Sequence, residues 1–472
     1  MAGTLRIDQR RGAQITLPTH RAVAPHQVAE RQTPMPRFQL AVLVLALPMF
    51  AQCFQYMVDV LPLYALSKAW PILMLPLFVW GLMRLDLPYK LLQVATLVWV
   101  LGVTPLIGIA HLGNEAGAAL TTTVKVWPFA SAFSLAAMLV LLKTPDIVLR
   151  RTLLSLGFAT YAIMLLLWIV VPARAYGGGD AVTKLFMYDP ERGQHIYMSM
   201  FFGMLLIFYL NRSFWIRPRV WIVAALLLAF VLQLWIDKER AAIGGAAVTV
   251  VIGAALSMRR FQVAACTGLM LIGGIGIIYA AIKLQSNVDL HSSLGGSLSV
   301  RTVSVATAWN YISADPLRWL FGIGATTRFG DITLAQLFGN RMFFLTDIGW
   351  LGVAFEYGLI GTLLMLLAHV GGLRAAVRWS TPGDALALAM VDYIIYLMIV
   401  SAVYSVVFTP GELTTVIGLS YYLSLAKRRR SHTRQGALSH LANPMPRHIA
   451  RARPKPSGRF ALAAPSGLAS KG

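Results

Sequence analysis

The sequence predicts an all-α polytopic membrane protein with about 12 transmembrane helices. Hydrophobic residues make up 57% of the 472 residues and charged residues only 13%, whereas soluble domains carry about 25% charged residues. Twelve apolar runs approach the ~20 residues that cross a bilayer as a helix. Lys and Arg collect in alternate short linkers, which is the pattern of linkers on the cytoplasmic side.

The twelve predicted spans are helices because a backbone in lipid must satisfy its own hydrogen bonds. The second contains two prolines and the twelfth is short. In chain order they cover about residues 38–56, 66–83, 91–110, 126–142, 152–172, 195–211, 219–236, 241–258, 262–282, 347–370, 385–407 and 411–426.

The predicted cytoplasmic linkers are all basic and include "LKTPDIVLRR", "NRSFWIRPR" and "GGLRAAVRWS". An even number of spans places both termini in the cytoplasm. We therefore predict a disordered basic arm at 1–37, a transmembrane domain at 38–426 and a disordered basic tail at 427–472. The formal charge of +22 follows from this topology and from contact with anionic lipid. Nucleic acid is not an expected partner, because no folded basic domain is evident.

Three of the segments on the predicted non-cytoplasmic side carry polar motifs. They are the "DKER" turn, the loop "PARAYGGGDAVTKLFMYDPERGQH" and one large periplasmic loop at about 283–346, between spans nine and ten. Within the large loop, a helix is predicted from about Ser299 to Ala314, because Asp315 and Pro316 stop it there. A glycine-containing turn, "FGIGATT", follows.

Several motifs follow one another in a recognisable order. The "DKER" turn precedes a small-residue helix, the large loop contains an Arg, a Trp, a Pro and a Gly-x-Gly pair, and span ten contains Glu-x-Gly-Leu-Ile-Gly. This set, which covers about residues 235–370, resembles the bacterial O-antigen polymerase and O-antigen ligase superfamily. The resemblance is carried by Arg240, Arg301, Trp309, Pro316, Gly322, Gly324, Glu356, Gly358, Leu359, Ile360 and Gly361.

The resemblance implies an inner-membrane glycosyltransferase of surface polysaccharide synthesis. Such an enzyme transfers an oligosaccharide from undecaprenyl diphosphate to a sugar hydroxyl of an acceptor glycan or glycolipid. Ligases of the superfamily carry a histidine nine residues before the motif glutamate, and Asp347 stands at that position here. This departure favours a polymerase or exopolysaccharide-type member, with a ligase that joins polysaccharide to lipid A-core as the alternative.

The implied reaction requires cations at the leaving diphosphate and a group that accepts the hydroxyl proton. Arginine suits the first role because its planar fork binds phosphate oxygens in pairs. We predict Arg240 and Asp347 as catalytic residues. The predicted substrate-binding residues are Arg301, Arg341, Arg192 and Lys238, and the predicted structural or orienting residues are Glu356, paired with an arginine, and Glu239.

Each of these assignments has a simpler structural alternative. Arg240 would then be an interfacial charge beside the turn, and Asp347 would be the N-cap of span ten. His195 and His369 are predicted to be ordinary residues at helix boundaries. Asp392, inside span eleven, is costly in lipid and must face protein or water, so its role stays open.

Two other classes of protein are compatible with many spans. A transporter would show related halves and broken helices at matching positions, and a scaffold would not require arginines gathered on one side. No metal or other cofactor is predicted, because the sequence contains no metal-ligand spacing.

Overall fold

The computed structural model describes residues 35–55, 57–58, 60–177, 185–189, 192–258, 296–324, 334, 338–339, 343–406 and 410–442, the last fourteen of these and residues 296–299 by their backbone alone. The described part is mostly helical. The helices are α1 Arg37–Phe50, α2 Leu61–Leu73, α3 Leu75–Arg84, α4 Lys90–Val98, α5 Thr104–Leu112, α6 Ala116–Thr122, α7 Ser131–Leu141, α8 Asp146–Val170, α9 Phe201–Ile216, α10 Val220–Leu232, α11 Arg240–Ser257, α12 Gly296–Ser313, α13 Pro316–Phe321, α14 Gly349–Trp379, α15 Ala385–Val400 and α16 Gly411–Ala442.

Six helical segments in the described residues are long and apolar enough to cross a membrane. They are Leu61–Arg84, Lys90–Leu112, Asp146–Val170, Val220–Asp237, Arg240–Ser257 and Leu345–Trp379. A seventh candidate is the pair Ala116–Lys125 and Trp127–Leu141, which is bent by 55°. Three shorter apolar helices, α1, α9 and α15, accompany them. The chain is therefore compatible with an all-α membrane protein.

The predicted number of 12 crossings is not confirmed. Eleven of the predicted runs coincide with helices. Six of these runs belong to the six long apolar segments named above, and the other five do not. The ninth predicted span, 262–282, lies outside the described residues. The tail predicted to be disordered from residue 427 is instead helical as far as Ala442, because lysines and arginines are good helix formers that extend α16 beyond its apolar part.

A β-hairpin occupies the place where the sixth predicted span was expected to begin. Strand β1, Phe186–Asp189, pairs antiparallel with β2, Gly193–Ile196, and Met187 lies opposite His195. Helix α9 begins only at Phe201. The sequence analysis treated this segment as a loop and residue 195 as the start of a helix, and both predictions were wrong.

Helix α9 is central in the bundle, where it packs against α8, α10, α11 and α15. Its aromatic side chains Phe201 and Phe208 are buried against Tyr393 of α15. In a second group of helices, α7 packs between α3 and α16. These apolar contacts hold the helices whose ends carry the charged residues.

A buried ion pair joins α9 to α15 inside this core. The Arg212 guanidinium donates to both Asp392 carboxylate oxygens at 2.7 and 2.6 Å and to the Ser257 hydroxyl at 2.8 Å. Asp392 is fully buried and Arg212 is 2% exposed. Gly253 makes room for the pair, since a Cβ there would lie 2.9 Å from Asp392 Oδ2. The unassigned Asp392 therefore faces protein and has a partner.

The predicted cytoplasmic and periplasmic linkers lie at opposite ends of the bundle. At one end Arg150 binds Asp384 through two hydrogen bonds of 2.6 and 2.7 Å, which joins two predicted cytoplasmic linkers. At the other end Arg192 pairs with Glu239 at 3.3 Å, which joins two predicted periplasmic segments. This separation agrees with the predicted alternation of sides, although it does not reveal which side is which.

Reporter fusions should identify the sides. We expect fusions after Arg240 and after Asp315 to be active with a periplasmic reporter, because the basic linkers retain the other end in the cytoplasm. Fusions after Arg259 and after Lys427 should be active only with a cytoplasmic reporter. A cytoplasmic signal from the fusion after Asp315 would place the site described below on the wrong side for a periplasmic reaction.

Candidate functional site

The large loop docks on a break in helix α14. Gly358 interrupts the helix with φ 69° and ψ 178°, which frees backbone carbonyls of the preceding turn. The amide of Ile323 donates to the Phe355 carbonyl at 2.9 Å, and the amide of Gly324 donates to the Glu356 carbonyl at 3.2 Å. The Gly-x-Gly pair and the Glu-x-Gly run are thus in direct backbone contact.

Close backbone approach explains the glycines at this contact. Gly322 has φ 75°, and a Cβ on it would lie 2.5 Å from the Glu356 carbonyl oxygen. Gly324 has φ 88°, and its Cβ would lie 2.1 Å from the backbone nitrogen of Gly108 in α5. Any other residue would overlap main-chain atoms that cannot move aside.

Glu356 is buried beside the break and pairs with a lysine. Lys125 Nζ donates to both of its carboxylate oxygens at 2.7 Å, and Glu356 is 1% exposed. The sequence analysis expected an arginine as its partner, which was wrong. Lys125 is brought there because the chain bends between α6 and α7, where Pro128 follows closely. The pair ties this bend to α14.

Charged side chains from four segments gather at the predicted periplasmic end. They come from the hairpin, the turn after α10, helix α12 and the turn before α14, and they interact electrostatically across these segments. We call this set the charged cluster. It consists of Arg192, His195, Asp237, Glu239, Arg301 and Asp347.

Arg301 is the member of the charged cluster that helix α12 contributes. Its charge acts on Glu239 and on Asp347. Its side chain is half-buried, and its Nε is buried without a hydrogen-bond partner among the described residues. Helix α12, which carries Arg301, is fixed against α13 and α14. The backbone that carries Arg301 is therefore fixed by packing, and one N–H of its guanidinium has no partner in the described part of the chain.

Arg192 reaches the charged cluster from the hairpin. Its guanidinium lies 3.3 Å from Glu239 Oε1 and 3.6 Å from Asp189 Oδ2. Its charge also acts on Asp347. Arg192 and Arg301 thus influence the same carboxylate from different parts of the chain.

Lys238 fixes the hairpin in this position. It adopts a left-handed conformation with φ 58°, and its ammonium donates to the carbonyls of Arg192 and Gln194 at 2.7 and 2.8 Å. The sequence analysis assigned Lys238 to substrate binding. The two carbonyl contacts instead assign it to positioning the hairpin that carries Arg192.

Burial raises the pKa of the Glu239 carboxyl above its ordinary value, although the charges of Arg192, His195 and Arg301 oppose this shift. The charged form of Glu239 is therefore less favoured than that of an exposed glutamate.

Asp347 is half-buried in a short 3-10 turn, Leu345–Ile348, that precedes α14. The N-cap of α14 is Ile348, and no side chain caps this helix. The alternative in which Asp347 serves only as an N-cap is therefore wrong, because the turn moves the start of the helix to Gly349. The carboxyl group is left to interact with the arginines of the charged cluster.

The remaining predicted residues lie apart from these contacts. Arg240 is the first residue of α11, with an exposed side chain that forms no ion pair or hydrogen bond with another described residue. It follows Glu239 directly and so borders the charged cluster. Arg341 lies outside the described residues. His369 is buried in α14, where its Nδ1 lies 2.8 Å from the Met365 carbonyl oxygen.

Sequence reasoning missed three residues that the structure shows to matter. Lys125 precedes the predicted span four, and Pro128, three residues later, is a signal of a break in the apolar run. His195 was taken as a helix boundary but is 2% exposed and acts on Glu239. Arg212 was counted as a linker residue, and no local signal reveals its pairing with Asp392.

No group of three or more His, Cys, Asp or Glu side chains within the described part of the chain is arranged to hold a metal ion. No family model matches the chain, and no curated protein matches it with significant similarity.

Proposed function

We propose that the protein is a membrane polymerase that transfers an oligosaccharide from undecaprenyl diphosphate to a sugar hydroxyl of an acceptor glycan. The observation that carries this proposal is the charged cluster. Two arginines 109 positions apart act on the same aspartate at the end of a bundle of apolar helices. A paired cation site beside a carboxyl group is what a reaction with a departing diphosphate requires.

The chemistry assigns separate roles to the cations and to the carboxylate. In the proposed reaction the acceptor hydroxyl oxygen attacks the anomeric carbon, and the bond from that carbon to the diphosphate oxygen breaks. Arg301, Arg192 and Arg240 stabilise the charge that grows on the departing diphosphate. Asp347 accepts the proton of the hydroxyl.

A polymerase is preferred to a ligase because Asp347 stands where the resemblance implies a histidine in ligases. The Gly-x-Gly pair contacts the helix at Glu356 and the break at Gly358. The resembling motifs therefore form a single structural feature. They support the proposal because motifs that only matched by chance would have no reason to meet.

A transporter is the second candidate. It is favoured by the bend between α6 and α7 and by the break at Gly358, because discontinuous helices often form transport sites. The two candidates differ in the covalent products that they leave in the cell.

Deletion of the gene followed by sizing of surface polysaccharides tests the proposal. We expect long chains to disappear while single repeat units remain on their acceptor. Accumulation of full-length chains on the lipid carrier would indicate a ligase instead. Normal chain lengths with less material at the surface would indicate a transporter.

Substitution of Arg301 by glutamine should slow polymer formation by about 10²–10³-fold, which is the loss typical of one preorganised electrostatic contact. Glutamine keeps hydrogen-bonding capacity but removes the charge. Transfer from a purified lipid-diphosphate saccharide can be measured by gel electrophoresis of the products.

The matched control is Arg174→Gln, which removes an exposed arginine from a linker at the same end of the bundle. This variant should retain wild-type transfer. Equal activity in the Arg301 and Arg174 variants, at equal protein levels, would exclude Arg301 from diphosphate binding.

A further inference from the structure

A cavity of about 720 Å³ opens at the end of the bundle opposite the charged cluster. It lies between the start of α8, the linker from α9 to α10, and the linker from α14 to α15. Polar and apolar side chains line it in similar measure. This cavity is not used by the proposed reaction, which takes place at the other end.

The two carboxylates in the cavity share one arginine. Arg150 binds Asp146 at 2.7 Å and Asp384 through two contacts of 2.6 and 2.7 Å. The Arg150 guanidinium also lowers the pKa of Asp384 below its ordinary value, although burial opposes this shift. Both aspartates are therefore bound by the same arginine.

Two further arginines line the cavity without such partners. Arg217 and Arg219 are exposed, and neither forms an ion pair or side-chain hydrogen bond with another described residue. They flank a proline, so both belong to one short linker whose backbone is restricted. The cavity therefore carries three arginines against two aspartates, and the two exposed arginines form a positively charged wall.

On one side the cavity adjoins the exposed apolar face of α10. Trp221 lines it and is 53% exposed, and the adjacent Val220 is 87% exposed. Helix α10 continues away from the cavity with Leu227 and Leu228 exposed. Tryptophan typically lies at the level of lipid headgroups, and exposed leucines farther along a membrane helix suit acyl chains.

We infer that this cavity binds the headgroup of an anionic phospholipid. Arg217 and Arg219 hold the phosphate, Trp221 packs against the glycerol region, and the acyl chains follow the exposed face of α10. Basic pockets between helices on the cytoplasmic side are suited to this class of lipid. A soluble phosphate compound shares the phosphate chemistry but would make no use of the exposed face of α10. The inference does not depend on the proposed function.

Binding of phosphatidylglycerol to the purified full chain tests this inference. In native mass spectrometry we expect the wild type to retain phosphatidylglycerol in preference to phosphatidylcholine. The double variant R217Q/R219Q should bind phosphatidylglycerol about 20–30-fold more weakly, because each basic residue near an anionic headgroup contributes a factor of about five.

The matched control is R374Q/R378Q, which removes two exposed arginines of α14 that do not line the cavity. This variant should bind the lipid as the wild type does. Equal loss in both double variants would show that only overall charge matters and would overturn the site.

A second arm separates lipid from soluble phosphate. Inorganic phosphate and glycerol 3-phosphate at millimolar concentration should neither displace phosphatidylglycerol nor raise the melting temperature of the detergent-solubilised protein. Full displacement by either compound would overturn the assignment to a lipid, because the acyl chains would then contribute nothing. If R217Q/R219Q melts earlier than the wild type in the absence of any lipid, binding is compared at a temperature at which both remain folded.

Discussion

Replacing Asp347 by asparagine should lower the rate of transfer by about 10²–10⁴-fold, the contribution usual for a general base. Asparagine keeps the size of the side chain and one acceptor oxygen but cannot take the proton of the acceptor hydroxyl. The half-buried position of Asp347 beside Arg301 and Arg192 supports this expectation. Initial rates with purified protein and a defined acceptor give the effect directly.

Two further substitutions at this position separate chemistry from structure. Asp347→Glu moves the carboxyl group but keeps a base, and it should recover part of the activity. Asp347→Ala should be as inactive as the asparagine variant while its melting temperature stays close to that of the wild type, because the side chain caps no helix. An active asparagine variant would remove Asp347 from proton transfer and leave a reaction that relies on the arginines alone.

Replacing Asp392 by alanine should destabilise the protein by about 3–5 kcal/mol, because it leaves Arg212 buried without a counter-charge. The pair is bidentate, and both residues are almost fully buried. Thermal unfolding in detergent, followed by tryptophan fluorescence, measures the change. Glu115→Ala is a suitable control, since it removes an exposed carboxylate and should change the stability by less than about 0.5 kcal/mol.

Replacing both members of the pair gives a sharper comparison. A variant with Arg212→Met and Asp392→Leu buries no charge, so it should be more stable than Asp392→Ala. If the double variant is instead less stable than Asp392→Ala, removing the whole pair costs more than leaving Arg212 unpaired. The ion pair itself would then stabilise the bundle.

The positions of the helices could be predicted because each helix depends on the composition of its own segment. Runs of about 18 apolar residues, such as Arg240–Ser257, form helices in lipid whatever their neighbours are. The end of α12 at Ser313 was likewise close to the expected Ala314, because Asp315 and Pro316 stop the helix. By contrast, composition does not reveal whether a 16-residue helix such as α9 crosses a membrane.

The candidate site was predictable in its residue types but not in its contacts. Arginines and carboxylates on one predicted side suggested Arg301, Arg192 and Asp347, and the structure brings their charges together. The pairing of Lys125 with Glu356 joins residues 231 positions apart, and no periodicity encodes such a distance. The role of Lys238 also depends on a left-handed turn that a lysine rarely adopts.

The docking of the large loop on α14 also sets an order of events during synthesis. Gly324 pairs with the Glu356 carbonyl, and Trp99 donates to the Tyr357 carbonyl across 258 positions. Helices α12 and α13 are therefore synthesised before the surface of α14 that receives them. Assembly of this half of the protein waits for α14 to leave the translocon, and a chain truncated before residue 356 would expose an unfinished loop to proteolysis.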